Sequence, residues 1–362
     1  MTGTYAAVTR NGTPQPLLAV TDEATAARGA KNVVTRCLAA KPGERVHVLV
    51  YRGEALYPFL AAAIEDAGAV PVRVALEMFA SATATVAECS AKLAPLLAGA
   101  TATMLLAPER PPPAMSVAIA KTTESIRARH LHMLQVDERL LAQSVRADPD
   151  LLILVNERVQ AVLRPPCDVR LTSDAGTDVD LHLSSKHPLL ASAGRPSPGT
   201  SENLPAVHVY THPARFKGTL VVDRAVFGPG VDLDRALVRK DPPRVAFVNG
   251  KVSSIEGGDP TVRKAIDGYL ASHAYADHVG LVVFPTNYLV RSEARIDRQD
   301  MLLPGVSVSL GYASAENTRA PYEAPVQLVF LGRRQTVAVG AKKIVDAGRF
   351  DAVLSEGVDP FR

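Results

Sequence analysis

Short β-branched runs alternate with longer amphipathic ones through the first half of the chain, and that alternation limits the fold more than any other feature. Residues 45–50 (RVHVLV) are strand-sized and bounded by Pro42-Gly43 and Gly53. Leu56, Phe59, Leu60 and Ile64 then recur at helical spacing within residues 54–67, and Gly68 follows as a stop signal. Residues 70–76 return to strand, 90–97 read as helix ending at Gly99, and 101–106 as strand. Residues 115–129 and 137–145 read as further helices. Strands and helices in this rhythm predict right-handed βαβ units and a mainly parallel, Rossmann-like sheet. Neither G-x-G-x-x-G nor G-x-x-x-x-G-K-[ST] follows any of the strands, so the sheet reads as scaffold and no cofactor is expected. His47 reads as a hydrogen-bonded core histidine, and His130 and His132 as helix-end or surface residues.

The pattern shifts near Pro165-Pro166. Beyond it, strand signals are dense at 169–172, 178–183, 206–211, 218–223, 244–248, 279–284, 306–310, 326–331 and 336–339. Asn249-Gly250 and Gly257-Gly258 are turn signals, and only 261–273 looks clearly helical. The expected architecture is therefore α/β: an N-terminal parallel-sheet domain at 1–165 and a β-rich α+β C-terminal domain at 166–362. Residues 192–201 (SAGRPSPGTS) read as a small-residue loop beside a pocket.

Composition narrows the classes of function. Of 362 residues 47% are hydrophobic and 21% charged, enough apolar material for a sizeable core. Lys and Arg number 40 against 37 Asp and Glu, for a net charge of +3, which is too balanced for a dedicated nucleic-acid binder. No apolar run approaches the ~18 residues of a membrane span, and residues 1–16 lack a signal-peptide pattern. Cys37, Cys89 and Cys167 are odd in number and without CxxC pairing, so they read as reduced thiols of a cytoplasmic protein. The alanine- and arginine-rich composition suggests a bacterial source.

The most pointed local pattern is His208-Val209-Tyr210-Thr211-His212. On a strand, period two puts His208, Tyr210 and His212 on one face, an acid-base-capable row. Both histidines cannot chelate one ion, since their Cα atoms lie roughly 13 Å apart on a straight strand. Asp174, Asp178 and Asp180 around Gly176-Thr177 could hold a hard cation, but the same residues favour a tight turn, which we prefer. His273 and His278 read as surface residues, and neither H-E-x-x-H nor G-x-S-x-G occurs.

Several stretches in the second half carry a family resemblance: RLTSDAGTDVDLHL (170–183), ENLPAVHVY (202–210), HVGLVVFPTN (278–287), SVSLG (307–311), APVQLVF (324–330) and TVAVGAKKIVDAGRF (336–350). In order and spacing they resemble the thermophilic aminopeptidases of the T and S type, whose architecture the 2,5-dihydroxypyridine dioxygenases share. The resemblance implies a homodimer and a divalent metal centre. It also implies that the metal ligands are replaced here. The family's N-L-P-x-G-E-V becomes Asn203-Leu204-Pro205 followed by Val207-His208, and its x-G-E keeps Gly280 but has Leu281, with Thr286-Asn287 retained. Its H-x-A-L-G begins at Ser307, its H-x-D appears as Gln327-Leu328-Val329, and Tyr312 lies near the place of its tyrosine. Histidine, leucine, serine, glutamine and valine together do not make a divalent-metal site.

These readings lead to a metal-independent enzyme acting on a small molecule, with no nucleic-acid or membrane partner. His208 is the expected general acid or base, and Tyr210 and His212 would orient substrate or relay protons. Asn287, Ser307, Tyr312, Glu316 and Gln327 would contact substrate, and Arg215 or Lys217 would hold a carboxylate. The reaction would be hydrolysis or transfer at an acyl carbon, or an elimination, cyclisation or isomerisation. A non-catalytic ligand-binding protein on the same frame is one alternative. Another is a metallo-aminopeptidase using His208 or His212 with Glu316 or Glu323.

Overall fold

A computed structural model describes residues 6–8, 14–16, 23–79, 81, 83–205 and 208–358. A short ribbon pairs β1 (Ala6–Val8) with β2 (Pro14–Pro16). The chain divides into two compact units: Met1–Ile153 with Ser192–Val207 and Ser292–Asp300, and Leu154–Ala191 with His208–Arg291 and Met301–Arg362. A single cut at 165 does not describe this division, because two later segments return to the first unit. One of them supplies a strand to the first unit's sheet.

That sheet is built from β3 (Arg45–Val50), β4 (Val70–Ala75), β5 (Ala102–Ala107), β6 (Arg129–Leu134) and β10 (Ser201–Leu204). Its order is β10-β6-β5-β3-β4, with every neighbour parallel. Helices α2 (Tyr57–Asp66), α3 (Val86–Leu96) and α4 (Pro113–Ser125) make the crossovers, the doubly wound arrangement expected of βαβ units. Leu49, Leu105, Leu93, Met115 and Ile119 form the core beneath α3 and α4. The helix read over 115–129 stops at Ser125, where Arg127 takes a positive φ of 55°, and the chain re-enters the sheet as β6. His130 and His132 are therefore strand residues. His47 is buried, but its Nδ1 has no hydrogen-bond partner among the described residues. Also in this unit are α1 (Glu23–Asn32), α5 (Glu138–Ala142) and α9 (Asp297–Asp300). The unread helix α6 (Pro149–Val162) runs across the point where the chain passes between units.

The second unit carries two sheets. One has eight antiparallel strands in the order β16-β15-β12-β8-β7-β20-β21-β22. These are β7 (Cys167–Thr172), β8 (Asp178–Leu183), β12 (Arg215–Val221), β15 (Arg244–Val248), β16 (Lys251–Glu256), β20 (Thr336–Val339), β21 (Lys342–Asp346) and β22 (Arg349–Phe350). Leu171, Val179, Leu181, Phe216 and Phe247 are buried, while Arg170, Asp178, Asp180, Arg215 and Lys217 at alternate positions of β7, β8 and β12 are charged. Asn249 and Gly250 both have positive φ, 51° and 76°, which suits the tight hairpin joining β15 to β16.

The other sheet has the order β14-β13-β19-β18-β17-β11-β9. Its strands are β9 (Leu190–Ser192), β11 (His208–Thr211), β13 (Ala225–Gly228), β14 (Val231–Asp232), β17 (Val279–Pro285), β18 (Ser307–Gly311) and β19 (Gln327–Leu331). Helices α7 (Arg235–Lys240), α8 (Pro260–Leu270) and α10 (Ala315–Thr318) also belong to this unit. Among the described residues no helix is long and apolar enough to cross a membrane. Cys37, Cys89 and Cys167 are free thiols, and burial pushes Cys37 up to about 12, which silences it as a nucleophile.

Candidate active site

Residues from four neighbouring strands share one face of the seven-stranded sheet. His208 lies opposite Pro285, and Tyr210 opposite Val283, which faces Ser307, which faces Leu331. The next row holds Leu281, Ser309 and Val329, and beyond it Gly311 faces Gln327. Alternation along each strand puts His208, Tyr210, Leu281, Ser307, Ser309, Gln327 and Val329 on this face. The His208 and Tyr210 rings are 5.4 Å apart, tilted by 58°, and both are half-buried.

His212 does not continue their row. β11 ends at Thr211, and His212 Nδ1 donates to the Gly280 carbonyl at 2.9 Å, so that nitrogen carries the proton. Its ring lies edge-on to His187 at 4.7 Å and to Tyr322 at 5.2 Å. Burial outweighs the carbonyl bond and lowers His212 to about 4, keeping it neutral. Tyr322 donates to the Val279 carbonyl at 2.8 Å, so the two side chains grip successive carbonyls of β17. Between those carbonyls and Leu281 the register with β18 shifts. A Cβ on Gly280 would lie 2.1 Å from the Tyr312 carbonyl, so only glycine fits. His212 thus positions backbone. The ring cluster around Tyr322 also takes in Tyr275, stacked at 5.2 Å, and His278 at 5.1 Å. Tyr275 and His278 are close in sequence, but His187, His212 and Tyr322 are far from them, and no spacing announces the cluster.

The remaining expected contacts scatter. Ser307 is buried and donates to the Met301 carbonyl at 3.1 Å, and Gln327 Nε2 donates to Ser309 Oγ at 3.0 Å. Gln327 is three rows and three strands from His208, roughly 20 Å along the strands and about 14 Å across them. One small molecule cannot span both. Asn287 closes a turn by accepting from the Leu289 amide at 3.1 Å. Tyr312 and Glu316 are exposed, and Glu323 accepts from the Ala313 and Ala315 amides at 3.0 and 2.6 Å. Arg215 and Lys217 lie in the other sheet, on its charged face, paired with Asp168 at 3.0 Å and Asp180 at 3.7 Å. They are not placed to hold a carboxylate beside His208. Asp178 and Asp180 pair with Arg170, and Ser173 to Thr177 form the expected turn.

The divalent ion implied by the resemblance does not fit this donor set. Leu281 and Val329 have no donor atoms, and the Ser307 hydroxyl and Gln327 amide are held by protein partners. Among the described residues no group of three or more His, Cys, Asp or Glu is gathered to hold a metal ion.

The parallel-sheet unit and the antiparallel second unit define an aminopeptidase-like α/β fold. A 2,5-dihydroxypyridine dioxygenase from Pseudomonas putida KT2440 has this fold, with a TM-score of 0.63 at 15% identity over 91% of this chain and 98% of that one. Wild-type AmpT from Thermus thermophilus matches equally, with a TM-score of 0.63 and 15% identity over 91% and 99%. The family pattern NicX, described as 2,5-dihydroxypyridine 5,6-dioxygenase, matches residues 27–300, and the chain belongs to that family. Comparison with the curated proteins finds no match.

Proposed function

We propose that this enzyme-family member acts on a small molecule without a metal ion, with His208 as general acid or base and Tyr210 beside it. The observation that carries this reading is the half-buried imidazole–phenol pair, on a sheet face whose other positions offer no metal donor set. An imidazole titrates near neutral pH and can take or give a proton there. The phenol next to it can hydrogen-bond the reacting group, and Pro285 and Val283 stand opposite the pair on the adjacent strand. Acyl or amide hydrolysis or transfer, elimination, cyclisation and isomerisation are the reactions this pair suits. The dioxygenation named for the family is not assigned to this chain, because its positions do not supply the metal donors. A homodimer follows from the family resemblance and belongs to the same proposal.

The test begins with turnover by the wild-type protein on a panel of amides, esters and hydroxy acids. His208→Ala should then reduce kcat/KM by about 100-fold or more, with the melting temperature unchanged. An activity within a few-fold of wild type refutes the role of His208. Near-stoichiometric zinc, manganese, cobalt or iron in chelator-free protein refutes metal independence.

A further inference from the structure

The first unit gathers cationic and hydrogen-bonding groups at the carboxyl ends of its parallel strands, the edge where doubly wound sheets take their ligands. Arg110 follows β5, and its guanidinium meets Gln135, just past β6, at 3.5 Å. Arg298, on α9, is partly buried, and among the described residues its guanidinium makes no hydrogen bond and no ion pair. Burial, and then the like charge of Arg110, lower Arg298 from 12.5 to about 10, against the weaker pull of Asp297. The Asp300 carboxylate accepts from the Ala294 and Arg295 amides at 2.7 and 3.0 Å and forms no ion pair with Arg298.

His132 connects this charge to a groove. Its Nδ1 meets His130 Nε2 at 3.3 Å, and His130 Nδ1 meets Thr103 Oγ1 at 2.8 Å. The hydrogen-bonded chain ends there, leaving His132 Nε2 without a protein partner among the described residues. His132 lines a groove of about 310 Å³ with Val117 and Ala120 of α4 and with Asn203 of β10, its direct partner in register. Burial, with the Arg298 charge, lowers His132 to about 4, so the imidazole is a neutral hydrogen-bonding group.

We propose that this edge binds the anionic group of a small molecule, a carboxylate or a phosphate, on Arg298 and Arg110, with the attached body in the groove against His132 and Asn203. A guanidinium withdrawn from water without an anion is costly, and a second like charge adds to the cost. An incoming oxyanion removes both, and the planar fork of arginine suits it. The site uses nothing of the His208 sheet face and stands or falls independently of it.

The probes are sodium benzoate and sodium phosphate, with neutral benzamide as control, added to the full chain at constant ionic strength. Benzoate or phosphate should raise the melting temperature, and benzamide should not. Arg298→Gln should melt higher than wild type without ligand, because it removes an uncompensated charge, and should bind the anion at least tenfold more weakly by calorimetry. Arg298→Lys, which keeps the charge but not the fork, should fall between. Benzoate binding tighter than phosphate assigns a carboxylate with an apolar body, and the reverse assigns a phosphate. Wild-type anion affinity in Arg298→Gln overturns the proposal, as does a benzamide response equal to that of benzoate.

Discussion

His130 in the first unit and His212 in the second are both buried and both held neutral by that burial, at about 3 and about 4, yet they serve different ends. His130 lies between Thr103 and His132, so its hydrogen bonds pass along a chain that ends at a groove. His212 bonds a backbone carbonyl and packs edge-on against two rings, so its bonds end inside the protein. A depressed histidine pKa therefore reports the ring's surroundings, burial first, and not its task. The task is decided by where the hydrogen-bonded chain leads.

The largest effect is expected in the apolar core of the unit that contains His212. Phe216 is fully buried in the second unit's eight-stranded sheet and meets Phe247 edge-on at 4.9 Å and 79°. Phe216→Ala should destabilise by about 3–5 kcal/mol, read from the denaturant midpoint. A loss under about 1 kcal/mol would mean that this inner face does not anchor the unit.

Acid should act on both units in the same sense. The folded-state values of His130, His132 and His212 lie below the ordinary 6.5, so the unfolded chain takes up protons first as the pH falls. Their contribution is complete above about pH 6.5 and declines as the pH falls toward about 4 for His132 and His212, and toward about 3 for His130. Each group adds a slope of about 1.4 kcal/mol per pH unit while only its unfolded form is protonated. His130→Leu and His212→Leu should each remove about one proton from that slope, measured by denaturation between pH 7.5 and 4.5. Equal reductions sharpen the comparison: two identical titrations with different tasks. A reduction in only one variant breaks it.

Much of the sheet framework is legible in the residue pattern, because burial imposes period two or 3.6 on the side chains that pay for it. β3 runs over the same residues as the RVHVLV strand, and β8, β15 and β20 are likewise readable from their alternation. β6 is hidden because RHLHML carries histidines where a strand core usually has aliphatic side chains, and the hydrogen bonds those histidines make run to Thr103 and to one another. The return of residues 192–207 to the first unit is a long-range parallel pairing with no local signature. At the candidate site, the pairing of His208 with Tyr210 follows from alternation, whereas the turning away of His212 depends on the strand ending one residue earlier. Arg215 and Lys217 are near His208 in sequence, but a change of sheet separates them, which spacing cannot reveal.

The smallest expected effect lies at a helix start that the apolar stripe conceals. The stripe predicts a helix from residue 90, but α3 begins at Val86, because Thr85 and Glu88 form a capping box. Thr85 Oγ1 accepts from the Glu88 amide at 3.2 Å, and Glu88 Oε2 accepts from the Thr85 amide at 2.8 Å. The backbone and hydroxyl hydrogen bonds from Thr85 hold the Glu88 carboxyl below the usual carboxylate range. Thr85→Ala exposes one of the first-turn amides and should destabilise by about 1 kcal/mol, because Cys89 and Leu93 on α3 pack into the first unit's core. Glu88→Gln keeps an acceptor at the same place and should cost less. A reversed order in the denaturant midpoints would show that the charge of Glu88 at the helix start, and not the reciprocal hydrogen bonds, holds the first turn of α3.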